Sequence, residues 1–184
     1  MPAATEHPLL RHPASCCAAV RTIAASARLT ADGVLVLKYN VHGEPGRICI
    51  PETRPSAAAD GLWRHTCCEA FIAGVDGQEY REFNFSPSGQ WAAYRFSAYR
   101  NRDSGFVPPA APQLDFRSDA AGFRLTARIA RELLPAAIAF NIGLSAVIEA
   151  ADGTKSYWAL AHAGAQPDFH LRQSFLLTLQ RPTP

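Results

Sequence analysis

The stretch "EYREFNFSPSGQWAAYRFSAYR" (residues 79–100) decides the fold of this chain of 184 residues. On both sides of Ser88 and Gly89, apolar and polar residues alternate with a period of two, which is typical of two strands joined by a tight turn. The stretch also holds seven aromatic residues. It therefore serves as core, as a ligand surface, or as both in alternating positions.

The same two-residue period continues along most of the chain. The only helical candidate is residues 131–135, which Pro135 ends. The pattern predicts an all-β fold, an antiparallel β-sandwich of the jelly-roll or immunoglobulin-like kind with very little helix. Its predicted strands cover residues 33–41, 48–50, 61–74, 78–87, 90–100, 122–130, 139–150 and 174–180.

Composition and charge narrow the possible partners. The net charge is only +2, which predicts no binding to nucleic acid or to an anionic membrane surface. No apolar run approaches the ~20 residues that cross a bilayer. The first twenty residues lack the apolar core of a secretory signal, so we expect a cytoplasmic protein. Four of the five cysteines are adjacent pairs, which suit neither a disulfide nor a metal and predict reduced thiols.

The composition of successive segments predicts the domain organisation. Residues 1–20 are rich in Pro, Ala and His and are predicted to form an N-terminal arm, and residues 21–184 a single β-sandwich domain. The segment 101–117 is a long proline-rich loop, and such loops often border a binding site. Whether this loop covers the aromatic face is left open by the sequence.

Alternation sorts the central strands into two faces. Phe83 and Phe85 belong in the core, so Glu82 and Asn84 point away from it. On the preceding strand, Glu69 shares a face with aromatic residues.

On the strand after the turn, Tyr94 and Phe96 are assigned to one face and Trp91 and Arg95 to the other. The second face of the three strands thus combines aromatic and hydrogen-bonding residues. That combination is more typical of a binding platform than of a plain solvent surface.

Three separated motifs, "LWRHTCCEAFI", "YREFNFSPSGQWAAYRFSAYR" and "KSYWALAHAGAQPDFHLRQSF", resemble the bacterial DOMON-like domains, relatives of the family-nine carbohydrate-binding modules. The resemblance covers roughly residues 35–179. It implies a β-sandwich with a concave ligand face, where two tryptophans hold a sugar and Glu, Asn and Arg bond its hydroxyls. The matching ligand-binding residues are Trp63, Glu69, Asn84, Arg95 and, more loosely, Trp158 as the second wall.

Structural roles are open for the same residues. Trp63 could be a core or rim tryptophan, and Asn84 could cap the turn that follows it. Glu69 and Arg95 could form an interstrand ion pair with no ligand, which would stabilise little if exposed.

The sequence favours a non-catalytic module that binds a carbohydrate or sugar-like metabolite, without a cofactor. The cytoplasmic expectation favours a small sugar over a polymer. One alternative is a protein-interaction domain that uses the same aromatic face, including a possible homodimer.

Haem binding is a further alternative, since some DOMON domains hold haem through Met and His. The only methionine is Met1, so ligation would need two of His65, His162 and His170 facing each other. The spacing of His162 and His170 matches no zinc pattern, and no metal site is predicted.

A glycoside-processing enzyme is the remaining alternative. Two of Glu69, Glu82 and Glu149 could supply its carboxyl pair. The sequence holds none of the common hydrolase, nucleotide-binding or metalloprotease motifs.

Overall fold

The strand alternation of the sequence builds two antiparallel sheets that pack against each other in the computed structural model, which describes residues 4–182. Four one-turn 3-10 helices lie between the strands of this described part, at Pro45–Arg47, Leu62–Arg64, Arg131–Leu133 and Arg172–Ser174. The strands are β1 (His7–Arg11), β2 (Val20–Leu29), β3 (Leu35–Gly43), β4 (Cys67–Gly74), β5 (Tyr80–Phe85), β6 (Trp91–Ala98), β7 (Asn101–Arg102), β8 (Gln113–Asp119), β9 (Gly122–Ile129), β10 (Ala139–Glu149), β11 (Lys155–Ala159) and β12 (Leu177–Gln180).

The two sheets share one strand. The first sheet has the order β8-β9-β3-β2-β1 and the second the order β7-β6-β5-β4-β10-β11-β1, with β12 paired to the first part of β10. In β1, His7, Pro8 and Leu9 pair with β2, whereas Leu10 and Arg11 pair with β11. This strand therefore closes the seam between the sheets.

The main hydrophobic core lies between the sheets. Leu37 and Leu125 enter it from the first sheet, and Ile72, Phe83 and Phe140 from the second, each at most 1% exposed. Every second residue of a strand points to the same side, so these positions recur with the period of two seen in the sequence.

The outer face of the second sheet is also covered. Aromatic residues of β4, β5 and β6 form a second cluster there, on which Phe175 and Phe169 pack from the irregular segment 160–176. Gly143 of β10 permits this cover, because a β-carbon at that position would lie 2.8 Å from a ring carbon of Phe175. Burial on both sides explains why every residue of β4 is buried.

The fold prediction is confirmed: the chain is an all-β antiparallel sandwich with very little helix. The predicted helical turn at residues 131–135 is present as the 3-10 helix Arg131–Leu133. The strand predicted over residues 61–74 begins only at Cys67. Before it, Gly61 adopts a positive φ of 74° and leads into the 3-10 helix Leu62–Arg64.

Several strands lie outside the predicted ranges, among them β2 and β11. The predicted N-terminal arm, residues 1–20, contains the shared strand β1. The predicted loop 101–117 contains β7 at its start and the first part of β8 at its end. Conversely, the predicted strand 48–50 contributes a single bridge, between Ile48 and Ala150.

All five cysteines are free thiols, and Cys67 and Cys68 are buried. Within residues 4–182 there is no helix with the length and apolar character that crossing a membrane requires.

Replacing Phe83 by alanine should lower the free energy of unfolding by ~3–5 kcal/mol, because the ring is only 1% exposed and its loss leaves a cavity in the main core. Chemical denaturation followed by tryptophan fluorescence measures this change. Val107→Ala is the matched control, since that side chain is 82% exposed and its truncation should change stability little. Equal stability of the two variants would show that Phe83 is not a core residue.

Candidate functional site

A cavity of about 510 Å³ lies on the outer face of the second sheet. Its floor comes from β4, β5, β6, β10 and β11, and its walls from the 3-10 helix Leu62–Arg64, from β7 and from residues 167–170. The lining consists of acids and bases set among aromatic rings. These residues are Trp63, Arg64, Glu69, Phe71, Glu82, Tyr94, Phe96, Arg100, Arg102, Val147, Lys155, Tyr157, Pro167, Phe169 and His170.

Two glutamates form the polar part of the floor. Glu69 of β4 and Glu82 of β5 are 3% and 6% exposed. Asn84 lies directly opposite Glu69 in the β4–β5 ladder and shares the face of Glu82, two positions away. Its amide Nδ2 donates a 2.8 Å hydrogen bond to Glu82 Oε1.

Two oxygens of this group have no partner. Glu69 Oε1 and Asn84 Oδ1 are buried and accept no hydrogen bond from any residue the structure describes. Most buried polar atoms in native proteins are hydrogen-bonded, and leaving one unpaired costs about 1–3 kcal/mol. Of these two residues Glu69 lines the cavity, so a ligand with hydroxyl donors would complete the hydrogen bonding of its carboxyl group, whereas Asn84 is fully buried behind it.

Burial controls the ionisation of the floor. It raises the pKa of Glu69 well above its usual range, and the nearby charge of Glu82 raises it further. Burial likewise raises the pKa of Glu82 to about 7, although the hydrogen bond from Asn84 and the charges of Arg102 and Arg100 oppose this. A protonated carboxyl group donates as well as accepts, so the floor offers both functions near neutral pH.

His170 joins the floor from the covering segment. Tyr80 Oη accepts the backbone N–H of Arg100 at 3.1 Å and forms a 2.8 Å hydrogen bond with His170 Nδ1. The other ring nitrogen, Nε2, lies 3.7 Å from Glu82 Oε2. Burial, helped by the charge of Arg100, lowers the pKa of His170 to about 4, which keeps the ring neutral at physiological pH.

Aromatic rings form the walls above these polar groups. Trp63 is 37% exposed, and its ring meets Tyr94 edge-on with 6.0 Å between centroids. On the other side, Tyr157 and Phe169 lie 6.3 Å apart. These rings leave apolar surface beside the carboxyl groups.

The structure brings three of the five predicted site residues together. Trp63 and Glu69 line the cavity. Asn84 is fully buried behind them, bonded to Glu82, so it serves the floor rather than capping the turn.

Arg95 does not reach this cavity. Its guanidinium pairs with Asp103 and lies 5.8 Å from the ring of Phe106, on the face of β6 opposite the cavity. The faces expected for β6 are therefore reversed: Tyr94 and Phe96 line the cavity. The physical reason is that β6 carries large apolar residues on both faces, so alternation alone does not distinguish them.

Trp158 is also outside the cavity. It belongs to the core between the sheets, 6% exposed, and its indole N–H donates to Ser156 Oγ at 2.9 Å. The neighbouring residue of β11, Tyr157, takes the wall position instead. Both faces of the second sheet are covered, so a large apolar ring can be buried on either face.

Sequence reasoning missed several lining residues. Alternation separates Tyr94 from Arg95 on β6, but it predicts the wrong face for Tyr94, which lines the cavity. His170 and Phe169 stand in an irregular segment without periodicity, so no sequence pattern places them on the sheet.

The other histidines lie elsewhere. His65 bonds Glu149 at 2.7 Å in a neighbouring pocket, and His162 packs edge-on against His12 at 4.7 Å. Of the three histidines considered for haem, only His170 lines the cavity. Residues 4–182 hold no group of three or more side chains that could bind a metal.

No protein-family model matches this chain, and no curated protein matches it. Two of the solved structures that share its fold are similar over nearly the whole chain. One is a protein from Bacteroides uniformis to which carbohydrate binding is provisionally assigned; it is 12% identical with a TM-score of 0.60, over 96% of this chain and 86% of that one. The other is a family-nine carbohydrate-binding module from Caldicellulosiruptor kristjanssonii in complex with glucose; it is 13% identical with a TM-score of 0.56, over 96% of this chain and 83% of that one.

Substituting Glu82 by glutamine should change how stability depends on pH. The folded pKa of Glu82, about 7, lies above its ordinary value of about 4.5, so the folded state holds this proton more tightly than the unfolded state. The stability that the group contributes is present below pH 4.5 and is lost as the pH rises to 7.

The free energy of unfolding of the unsubstituted protein minus that of Glu82→Gln should therefore fall between about pH 5 and about pH 8. Denaturant titrations at a series of pH values measure it. Glu79→Gln, at an exposed site just before the same strand, is the reference variant from which any common slope is subtracted. A difference that stays constant or rises with pH would contradict the burial of an ionisable Glu82.

Proposed function

We propose that this chain is a non-catalytic module that binds a carbohydrate or sugar-like metabolite in the cavity on the outer face of the second sheet. The observation that supports it best is the polar floor of the cavity, the buried carboxyl groups of Glu69 and Glu82, set beneath the aromatic walls.

The chemistry of a sugar fits these groups. A pyranose has an apolar face of C–H groups, which stacks on aromatic rings such as Trp63 and Tyr157. Its hydroxyls both donate and accept, as the carboxyl groups of Glu69 and Glu82 require. The volume of about 510 Å³ lies within the usual ~300–1,000 Å³ range of small-molecule sites.

The fold neighbours support the ligand class. The family-nine module with this fold was solved with glucose. From this neighbour we carry over only the class of ligand, a sugar. The individual contacts are not carried over, because the wall and arginine positions in this structure differ from those that the family resemblance implied. The proposal has three further parts. The chain is related to the DOMON-like domains, it acts in the cytoplasm, and its ligand is a small sugar rather than a polymer.

A glycoside-processing enzyme is the second candidate, favoured by two carboxyl groups of raised pKa in one cavity. Incubation of the protein with reducing and aryl glycosides, followed by chromatography, separates the two functions. Binding without turnover supports the module, whereas a released sugar that disappears in Glu82→Gln supports the enzyme.

Trp63→Ala should abolish measurable binding of monosaccharides while leaving the protein folded, because this ring supplies the exposed wall and is not part of either buried cluster. Calorimetric titration with a panel of neutral monosaccharides measures the affinity. Thermal unfolding of the same sample verifies the fold.

Arg95→Ala is the matched control, since Arg95 stands on the same sheet but on the opposite face. It should bind the same sugars with unchanged affinity. Unchanged binding in Trp63→Ala, or its loss in Arg95→Ala, would remove the cavity as the sugar site.

A further inference from the structure

Four basic residues line the cavity, although the chain as a whole is close to neutral. They are Arg64, Arg100, Arg102 and Lys155. They come from the 3-10 helix before β4, from the turn after β6, from β7 and from β11. Lys155 is one of only two lysines in the sequence.

Two of these cations already have partners in the protein. Arg100 Nη2 lies 3.0 Å from Asp168 Oδ1. Arg102 Nη1 lies 3.7 Å from Asp60 Oδ1, with its guanidinium 4.0 Å above the ring of Tyr94. These contacts hold the two arginines in place and neutralise them.

Arg64 and Lys155 are not neutralised in this way. Neither forms an ion pair with any acid in residues 4–182. The acid directly opposite Lys155 in the β10–β11 ladder is Glu149, and it bonds His65 instead. The acid whose charge Arg64 senses is Asp60, which Tyr94 and Arg102 already engage.

The floor does not supply the missing negative charge. Glu69 and Glu82 are 3% and 6% exposed, and neither pairs with Arg64 or Lys155. Burial raises the pKa of both, to about 7 for Glu82, so the floor carries at most a partial negative charge near neutral pH, while Arg64 and Lys155 stand unpaired among the lining residues. A neutral sugar would satisfy the floor and leave both cations facing water.

We propose that the natural ligand is a sugar with an anionic substituent, a phosphate ester or a carboxylate, whose ring meets the aromatic walls and whose charge meets Arg64 and Lys155. This inference rests on the proposed function, because it assigns the substrate class of the same cavity. Charge-assisted hydrogen bonds from guanidinium and ammonium groups are about twice as strong as neutral ones, which makes such a substituent a strong determinant of specificity.

Calorimetric titration of the full chain with glucose, glucose 1-phosphate, glucose 6-phosphate, glucuronate and inorganic phosphate tests this proposal. We expect at least one anionic sugar to bind about tenfold more tightly than glucose, with an affinity that falls as sodium chloride rises from about 50 to about 500 mM. The phosphate and carboxylate arms distinguish the two kinds of substituent.

The ratio of anionic to neutral affinity should fall toward one in Arg64→Gln and in Lys155→Gln. Lys38→Gln, the other lysine, exposed on β3, and Arg128→Gln, exposed on β9, are the matched controls that keep the ratio.

Three results would overturn the proposal. Glucose that binds as tightly as every anionic sugar overturns the assigned substrate class and leaves the sugar-binding function standing. Inorganic phosphate that competes as well as the phosphorylated sugars shows an anion site without sugar recognition. Absence of binding by all sugars, charged and neutral, overturns the proposed function itself.

Discussion

The cover on the outer face of the second sheet is the constraint on which the candidate site depends. In a simple sandwich this face meets water, and acids on it are ordinary solvated residues. Here Phe175 packs over Gly143, and the segment 160–176 lies across β4 and β5. Glu69 and Glu82 are consequently removed from water, with raised pKa values. The same cover contributes His170 and Phe169 to the lining, so one packing event creates both the cavity and its chemistry.

The polar floor lowers the free energy of unfolding, since buried carboxyl groups and unpaired acceptors each oppose folding by about 1–3 kcal/mol. The two hydrophobic clusters offset this opposition. They lie on either side of β4, so the strand that carries Glu69 is held by packing and not by polar contacts of the glutamate itself. Such a site can keep its acceptors aligned before any ligand arrives, which reduces the ordering that binding would otherwise require.

Periodicity predicts part of this arrangement and fails for physical reasons elsewhere. It predicts the sandwich, the core position of Phe83 and the shared face of Glu69 and Asn84, because β4 and β5 have a clear apolar face. It reverses the faces of β6 and with them Arg95, because a sheet covered on both sides accepts large apolar residues on both faces. For the same reason Trp158, which the family resemblance implied as a wall residue, lies in the core instead. No periodic pattern predicts the position of His170, because that position depends on the segment 160–176 folding back over the sheet.

The strand shared by the two sheets has a consequence for how the chain reaches this state. Half of β1 pairs with β2, its neighbour in sequence, and the other half pairs with β11, near the opposite end of the described chain. During synthesis the second half has no partner until β11 has left the ribosome, so the seam closes late. Until then the second half of β1 presents an open edge, which is a template for intermolecular pairing. Yield in the cell should therefore depend on chaperone capacity more than the stability of the finished sandwich suggests.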